Sequence, residues 1–278
     1  MLRTRVITAL VLVFILLGSL MAPGNTPFAL LTLVLIAAAG WEWGRLNQSG
    51  DPLAVGMALL LAAACGATLW VGWTEHAPAA AWWVATALWL VAGSLVLRSG
   101  PTAWPRVPRA ARWAIGLVGL WAAWLAISHA RAIGINFMLS VFCLVWAADV
   151  AAYFGGRAFG RRKLAPSISP GKSWEGVWSG MAGVLLLAAL WITLDRSFSF
   201  DSPSLYSRLL LSQGVLGLVA ALLALAAMSV VGDLVESLVK RAAGAKDSSR
   251  LLPGHGGVLD RVDALLPVFP IALALAGS

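Results

Sequence analysis

Long apolar stretches, separated by short polar ones, dominate this chain. Nine follow one another, at 6–22, 27–43, 53–73, 79–97, 111–129, 133–154, 176–194, 209–231 and 258–277. Each is 17 to 23 residues long, and a bilayer core of about 30 Å takes about 20 apolar residues of helix. Backbone groups inside that core must be bonded within the segment, which favours helices. The period-two alternation of a membrane barrel is absent. The pattern predicts an all-α, polytopic helical integral membrane protein with about nine transmembrane helices. The last stretch carries Asp260, Arg261 and Asp263 in its first turns, so its purely apolar part is short.

The loops between these stretches give an orientation. With the N-terminus cytoplasmic, 17 of the 20 basic residues fall on one side, and only Arg131, Arg196 and Arg208 on the other. Cytoplasmic loops carry the excess of lysine and arginine. The count therefore predicts nine spans, the N-terminus inside and the C-terminus outside, with the polar loops 155–175 and 232–263 in the cytoplasm. Arg3 and Arg5 ahead of the first stretch also fit a cleavable leader. Met21-Ala22-Pro23-Gly24 is a poor cleavage site, and removing the segment would spoil the odd count, so the segment is read as a span.

Composition agrees. The chain is 60% hydrophobic and 12% charged, with a mean hydropathy of +0.86. Its net charge of +8 is explained by cytoplasmic loops and is no sign of nucleic-acid binding. Cys65 and Cys143 lie in apolar stretches, with neither disulfide nor zinc spacing, and are read as packing residues. Several of the 15 tryptophans stand at segment ends, where aromatic anchors belong. We divide the chain into an N-terminal group of about five helices (1–130) and a C-terminal region (131–278) that carries the two polar loops.

The candidate chemistry lies in that second region. If the helix of 209–231 continues, Asp233, Glu236, Ser237 and Lys240 fall at i, i+3, i+4 and i+7 and share one face. Asp260 and Asp263 repeat the i, i+3 spacing where the last stretch begins. Acids at the end of one helix and the start of the next suit a hard cation such as magnesium, which takes one or two carboxylates and completes its shell with water and phosphate oxygens. Solvated helix ends and start-of-helix acids are the plainer alternative. Between the acids lies Leu252-Pro253-Gly254-His255-Gly256-Gly257, a turn whose N–H groups are expected to cradle phosphate. Lys240, Arg241, Lys246 and Arg250 offer cations to the same ligand. Asp149 lies about 7 Å inside a span that ends near Phe154, at a cost of about 2.5–3.5 kcal/mol, and is expected to face a polar cavity with Tyr153. In Ser169-Pro170-Gly171-Lys172-Ser173-Trp174-Glu175-Gly176, Ser173 is expected to cap the next helix, leaving Lys172 for a phosphate.

These residues resemble a known family. Ser237, Lys240, Arg241, Lys246, Asp247, Pro253, His255, Gly256, Gly257, Asp260, Arg261 and Asp263 match, at fixed spacing, the signature of the phosphatidate cytidylyltransferases, the CDP-diacylglycerol synthases. Gly232-Asp233 with Glu236-Ser237, Asp149 with Tyr153, and the 169–176 loop are similar too, with Ser173 where the family usually has threonine. The likeness is sharp over about 145–270 and is one of hydropathy alone over 1–130.

The resemblance implies transfer of a cytidylyl group from CTP to phosphatidic acid, releasing pyrophosphate, with magnesium as cofactor and a second cation left open. It implies Asp233 and Asp260 as metal ligands and as catalytic residues with Lys240, Arg241 and Asp263. Lys172, Ser173, Asp149, Tyr153, Lys246, Asp247, His255, Gly256, Gly257, Arg261, Glu236 and Ser237 then bind substrate. It further implies a homodimer in the cell's inner membrane with its active site facing the cytoplasm. A polyprenol phosphate or other lipid phosphate as acceptor stays open. An ion-coupled transporter would call for inverted repeats and broken helices at mid-membrane, and neither is read here.

Overall fold

The computed structural model describes residues 2–277; the side chains of residues 2–9 and 12, and with them the Arg3 and Arg5 charges, lie outside the described residues. The chain is built from helices: α1 (Leu2–Met21), α2 (Thr26–Leu46), α3 (Asp51–Trp70), α4 (Ala79–Leu88) and α5 (Ser94–Ser99) joined by a π turn at Trp89–Gly93, α6 (Arg109–Ile133), α7 (Ile135–Phe159), α8 (Trp174–Ser197), α9 (Leu205–Ala242), α10 (Leu259–Val262) and α11 (Leu265–Ala276). Among the described residues, seven helical segments are long and apolar enough to cross a bilayer: α2, α3, the α4–α5 unit, α6, α7, α8 and α9. Their lipid-facing sides keep large apolar residues exposed, among them Leu59, Trp83, Leu90, Leu186 and Leu216. This is an integral membrane protein of helical construction.

The last apolar stretch differs from its expectation. Segment 258–277 forms two pieces, and α11 has only 12 residues, about 18 Å at 1.5 Å per residue. Pro267 has no N–H to close a turn onto the Asp263 carbonyl, and Pro270 removes the next donor but two. Every residue from Leu265 to Ala274 is buried. α11 therefore forms the centre of the bundle, packed against α9, α6, α4 and α7. Its all-round hydrophobicity reflects protein on every side.

The eighth stretch is longer than expected. α9 runs 38 residues, kinked at Gly214 (φ 69°, ψ −174°), and continues to Ala242. Its last three turns carry the polar residues out of the apolar layer. Ser204 caps its start, and the Ser204 and Ser207 hydroxyls both donate to Asp195.

Contacts sort the loops into two ends. At one end Asn25 Nδ2 donates to the Ser128 carbonyl, Arg131 to that of Leu20, and Asn136 to that of Ser202. At the other, Trp104 donates to Asn47, Trp43 to the Arg112 carbonyl and Arg241 to the Ile168 carbonyl. This second end gathers the basic loops.

α7 and α8 make the closest pair. Their seam is lined with small residues, which let helix backbones approach where no water drives packing. A Cβ on Gly180 would lie 2.9 Å from the Ala148 carbonyl oxygen and 3.5 Å from Ala152 Cβ. Replacing Gly180 with valine should therefore push α8 from α7 and lower stability by about 1–3 kcal/mol. A drop in the thermal unfolding midpoint in detergent checks this.

Candidate active site

The connection between α7 and α8 folds as a short antiparallel hairpin, β1 (Lys163–Ala165) with β2 (Ser169–Ser173), where the sequence showed only a polar loop. Buried Ile168 anchors its tip. Arg241 on α9 clamps it, with Nε 3.3 Å from the Ile168 carbonyl and Nη1 3.0 Å from that of Ala245. Ser173 ends β2 and caps α8, its Oγ accepting from Gly176 N at 3.2 Å, as expected. Glu175 turns back and accepts from the Arg161 and Arg162 amides.

This hairpin, α7, α8 and α9 enclose a cavity of about 510 Å³. Asp149, Tyr153, Arg157, Lys172 and Asp233 supply its polar wall, and Val177, Met181, Ala226 and Val230 its apolar one. Lys172 Nζ lies 2.7 Å from Asp233 Oδ2, and Ser237 Oγ 3.2 Å from Asp233 Oδ1. Asp149 lies in the fields of Lys172 and Asp233. Asp263 feels the same two groups and Lys240 as well.

Beside this cavity lies a second cluster. Lys240 Nζ is 2.6 Å from Glu236 Oε2 and 2.7 Å from Asp260 Oδ1; Glu236 is buried and the other two are partly buried. The stripe of four residues on α9 thus divides into two rows. Asp233 faces the cavity with Ser237 bonded to it, while Glu236 and Lys240 face α10. Asp260 also accepts from Ser248 N at 2.9 Å, Ser248 Oγ at 2.9 Å and Gly257 N at 2.8 Å.

Over residues 3–278 the chain matches the family model described as the cytidylyltransferase family. A phosphatidate cytidylyltransferase of Pseudomonas aeruginosa is 40% identical to it over 99% of this chain and 97% of its own length. One of Brucella suis is 36% identical over 95% of this chain and 89% of its own. One of Haemophilus influenzae is 50% identical over 49% of this chain and 44% of its own. The chain belongs to the cytidylyltransferase family.

Within this cytidylyltransferase the amides at the end of the glycine turn and just after it serve the protein's own acids. Gly257 N bonds Asp260, and Val258 N and Leu259 N bond Glu42. These N–H groups are spent on the protein's own carboxylates and are not free for phosphate. Gly256 has φ +85°, and a Cβ there would meet Asp260 Oδ2 at 2.9 Å. The glycines make room for acids. His255 holds its ring 3.4 Å from the Pro253 carbonyl, and its own carbonyl accepts from the Arg261 guanidinium. Lys246, Asp247 and Arg250 are exposed on the loop leading into the turn.

Magnesium is tested on the donor set. Among the described residues, no group of three or more His, Cys, Asp or Glu is arranged to hold a metal ion. Magnesium does not require one, because water and substrate phosphates fill most of its shell. Asp233, half-buried beside a serine hydroxyl and in the field of Asp149 and Asp263, offers hard oxygens of the right kind. Asp260 fits less well: Asp233 has only Lys172 and Ser237 as donors, whereas two amides hold Asp260 besides Lys240 and the Ser248 hydroxyl.

The sequence reading missed Glu42, on α2. It is fully buried, and it reaches Ser248, Ser249 and the start of α10. One signal was present: an acid inside the apolar stretch 27–43, subject to the same cost that singled out Asp149.

Arg241 reads here as a clamp on the hairpin. Changing Arg241 to alanine should free the hairpin and raise hydrogen exchange across residues 166–172. Turnover should fall about tenfold, because Lys172 loses its fixed place. Hydrogen exchange with mass spectrometry, alongside an activity measurement, checks both.

Proposed function

We propose that this chain transfers a cytidylyl group from CTP to phosphatidic acid, giving CDP-diacylglycerol and pyrophosphate. Family membership and the phosphatidate cytidylyltransferases among its relatives support the reaction class. The observation that carries the reading is the 510 Å³ cavity, where the Lys172–Asp233 pair stands over an apolar wall formed by transmembrane helices. A molecule with a phosphate head and hydrocarbon tails matches both parts.

In this reaction a phosphate oxygen of the lipid attacks the α-phosphorus of CTP. A new P–O bond forms, the bond to the bridging oxygen breaks, and pyrophosphate leaves with its electron pair. The nucleophile is already an anion, so no strong general base is called for. What the site must supply is position and positive charge. Lys172, at the cavity, is placed to take the lipid phosphate. Lys246, Arg250 and Arg261 are the exposed cations available to the triphosphate, while Lys240 holds Asp260 in place. Asp149 and Tyr153 line the lipid side. Asp233 would hold magnesium with Asp263 close by, while Asp260 stays bonded to Lys240. When bound, the ion would supply neutralisation of the two polyanions as they approach.

The proposal extends to topology and assembly. The charged loops lie in the cytoplasm of a cell with the protein in its inner membrane, a placement supported by the 17 to 3 division of basic residues. Residues 131–278 carry the chemistry, and 1–130 brace it through α2. The assembly proposed is a homodimer, which light scattering of the detergent complex tests.

Purified protein with labelled CTP, magnesium and a panel of lipid phosphates is the deciding assay. Pyrophosphate release should depend on phosphatidic acid, and release with no lipid dependence sinks the reading. A polyprenol phosphate outcompeting phosphatidic acid would move the acceptor. Asp260→Asn should lower turnover at least about 100-fold while the protein stays folded in detergent, since the change breaks its hold on Lys240.

A further inference from the structure

Glu42 is 0% exposed and belongs to a helix that otherwise packs by apolar groups such as Ile36, Ala39 and Trp43. Its carboxylate meets two segments more than 200 residues away. Oε1 accepts from Ser249 Oγ at 2.5 Å and Val258 N at 2.9 Å. Oε2 accepts from Ser248 Oγ at 3.2 Å and Leu259 N at 2.6 Å. Two oxygens with four donors fill the acceptor capacity of a carboxylate. A Cβ on Gly257 would collide with Glu42 Oε1 and Ser248 Oγ, so the chain is wrapped as tightly on this acid as a backbone allows.

We infer that Glu42 is a positioning residue for the transfer reaction, one that fixes Asp260 against Lys240 by holding both ends of the loop 248–259. The inference rests on the cytidylyltransferase reading of this site. Ser248 makes the link direct. Its hydroxyl lies 3.2 Å from Glu42 and 2.9 Å from Asp260, so its one proton can serve either carboxylate, while its amide bonds Asp260 in any case. The amides of Val258 and Leu259 tie the other end, two residues and one residue before Asp260. Between these roots the tip, with Arg250 and His255, is left to meet a ligand. Glu42 touches none of the cavity residues Asp149, Tyr153 or Lys172. Its loss should therefore disturb the reacting centre and spare the lipid cavity.

The two ideas can be separated with the full-length protein in detergent. Lipid-dependent pyrophosphate release by the wild type tests the reading itself. Glu42→Gln keeps the volume but turns an NH2 group toward donors. It should lower kcat about 30- to 100-fold, with KM for phosphatidic acid within about threefold. Trypsin should cut faster at Arg250 in the variant than in the wild type, a readout that holds even if the substrate were different. Glu42→Gln and Ser248→Ala should combine with far less than the product of their separate effects. Wild-type kcat in Glu42→Gln overturns the inference, as does a loss carried by KM for the lipid, unchanged cleavage at Arg250, or independent effects in the double variant. If Glu42→Gln does not fold, Ser248→Ala and Ser249→Ala each remove one donor and should lower kcat about 3- to 10-fold; full kcat in both overturns it too.

Discussion

One ammonium group, that of Lys240, holds the carboxylates of Glu236 and Asp260 at once, and the polar end of the molecule is arranged around it. Charges taken out of water persist only where opposite charge and hydrogen bonds replace the lost hydration. Here two acids share one cation, so the remaining negative charge has to be met by other donors. Asp260 meets it with Ser248 and the Gly257 amide. That arrangement requires a glycine turn, which in turn places the Val258 and Leu259 amides on Glu42. Each requirement leads to the next, from α9 through α10 to α2.

The same logic explains why α9 divides the site. Residues four apart on a helix share a line, and those three apart diverge slightly. Asp233 and Ser237 form one line toward the hairpin, while Glu236 and Lys240 form another toward α10. One helix end therefore serves an open cavity on one side and a closed ion cluster on the other. The cavity side is half-buried and holds a simple pair, Lys172 with Asp233, that a polyanion can replace. On the cluster side Asp260 is held by Lys240, Ser248 and Gly257, and Glu236 by Lys240 alone. A site that joins two anions needs both a place that exchanges partners and a frame that does not.

Much of this was legible from residue order. Hydropathy located the long helices, and the spacing of Asp233, Glu236, Ser237 and Lys240 foretold a polar helix end. The cap by Ser173 followed from its neighbours alone. What escaped the reading depends on contacts distant in sequence. Glu42 appeared as a lone acid in an apolar run, because its partners lie more than 200 residues on. Nothing local to the glycine turn reveals that the amides of Gly257, Val258 and Leu259 meet carboxylates. The last stretch has the composition of a span, yet its prolines and its neighbours make it a short central helix. Hydropathy reports that a segment avoids water, and leaves open whether lipid or protein surrounds it.

The proposed reaction makes the location of the site a physical necessity. One reactant cannot leave the bilayer without exposing its acyl chains, and the other cannot enter without shedding the hydration of its phosphates. They can meet only where helices end. α9 extends about three turns beyond its apolar section, carrying Asp233 through Lys240 out to that boundary. α7 and α8, held close by their small residues, bring Asp149 and Lys172 to the same level with an apolar wall beneath. The frame through Glu42 then does what neither substrate could do for itself: it keeps the charged half of the site fixed while the lipid half stays open to the membrane.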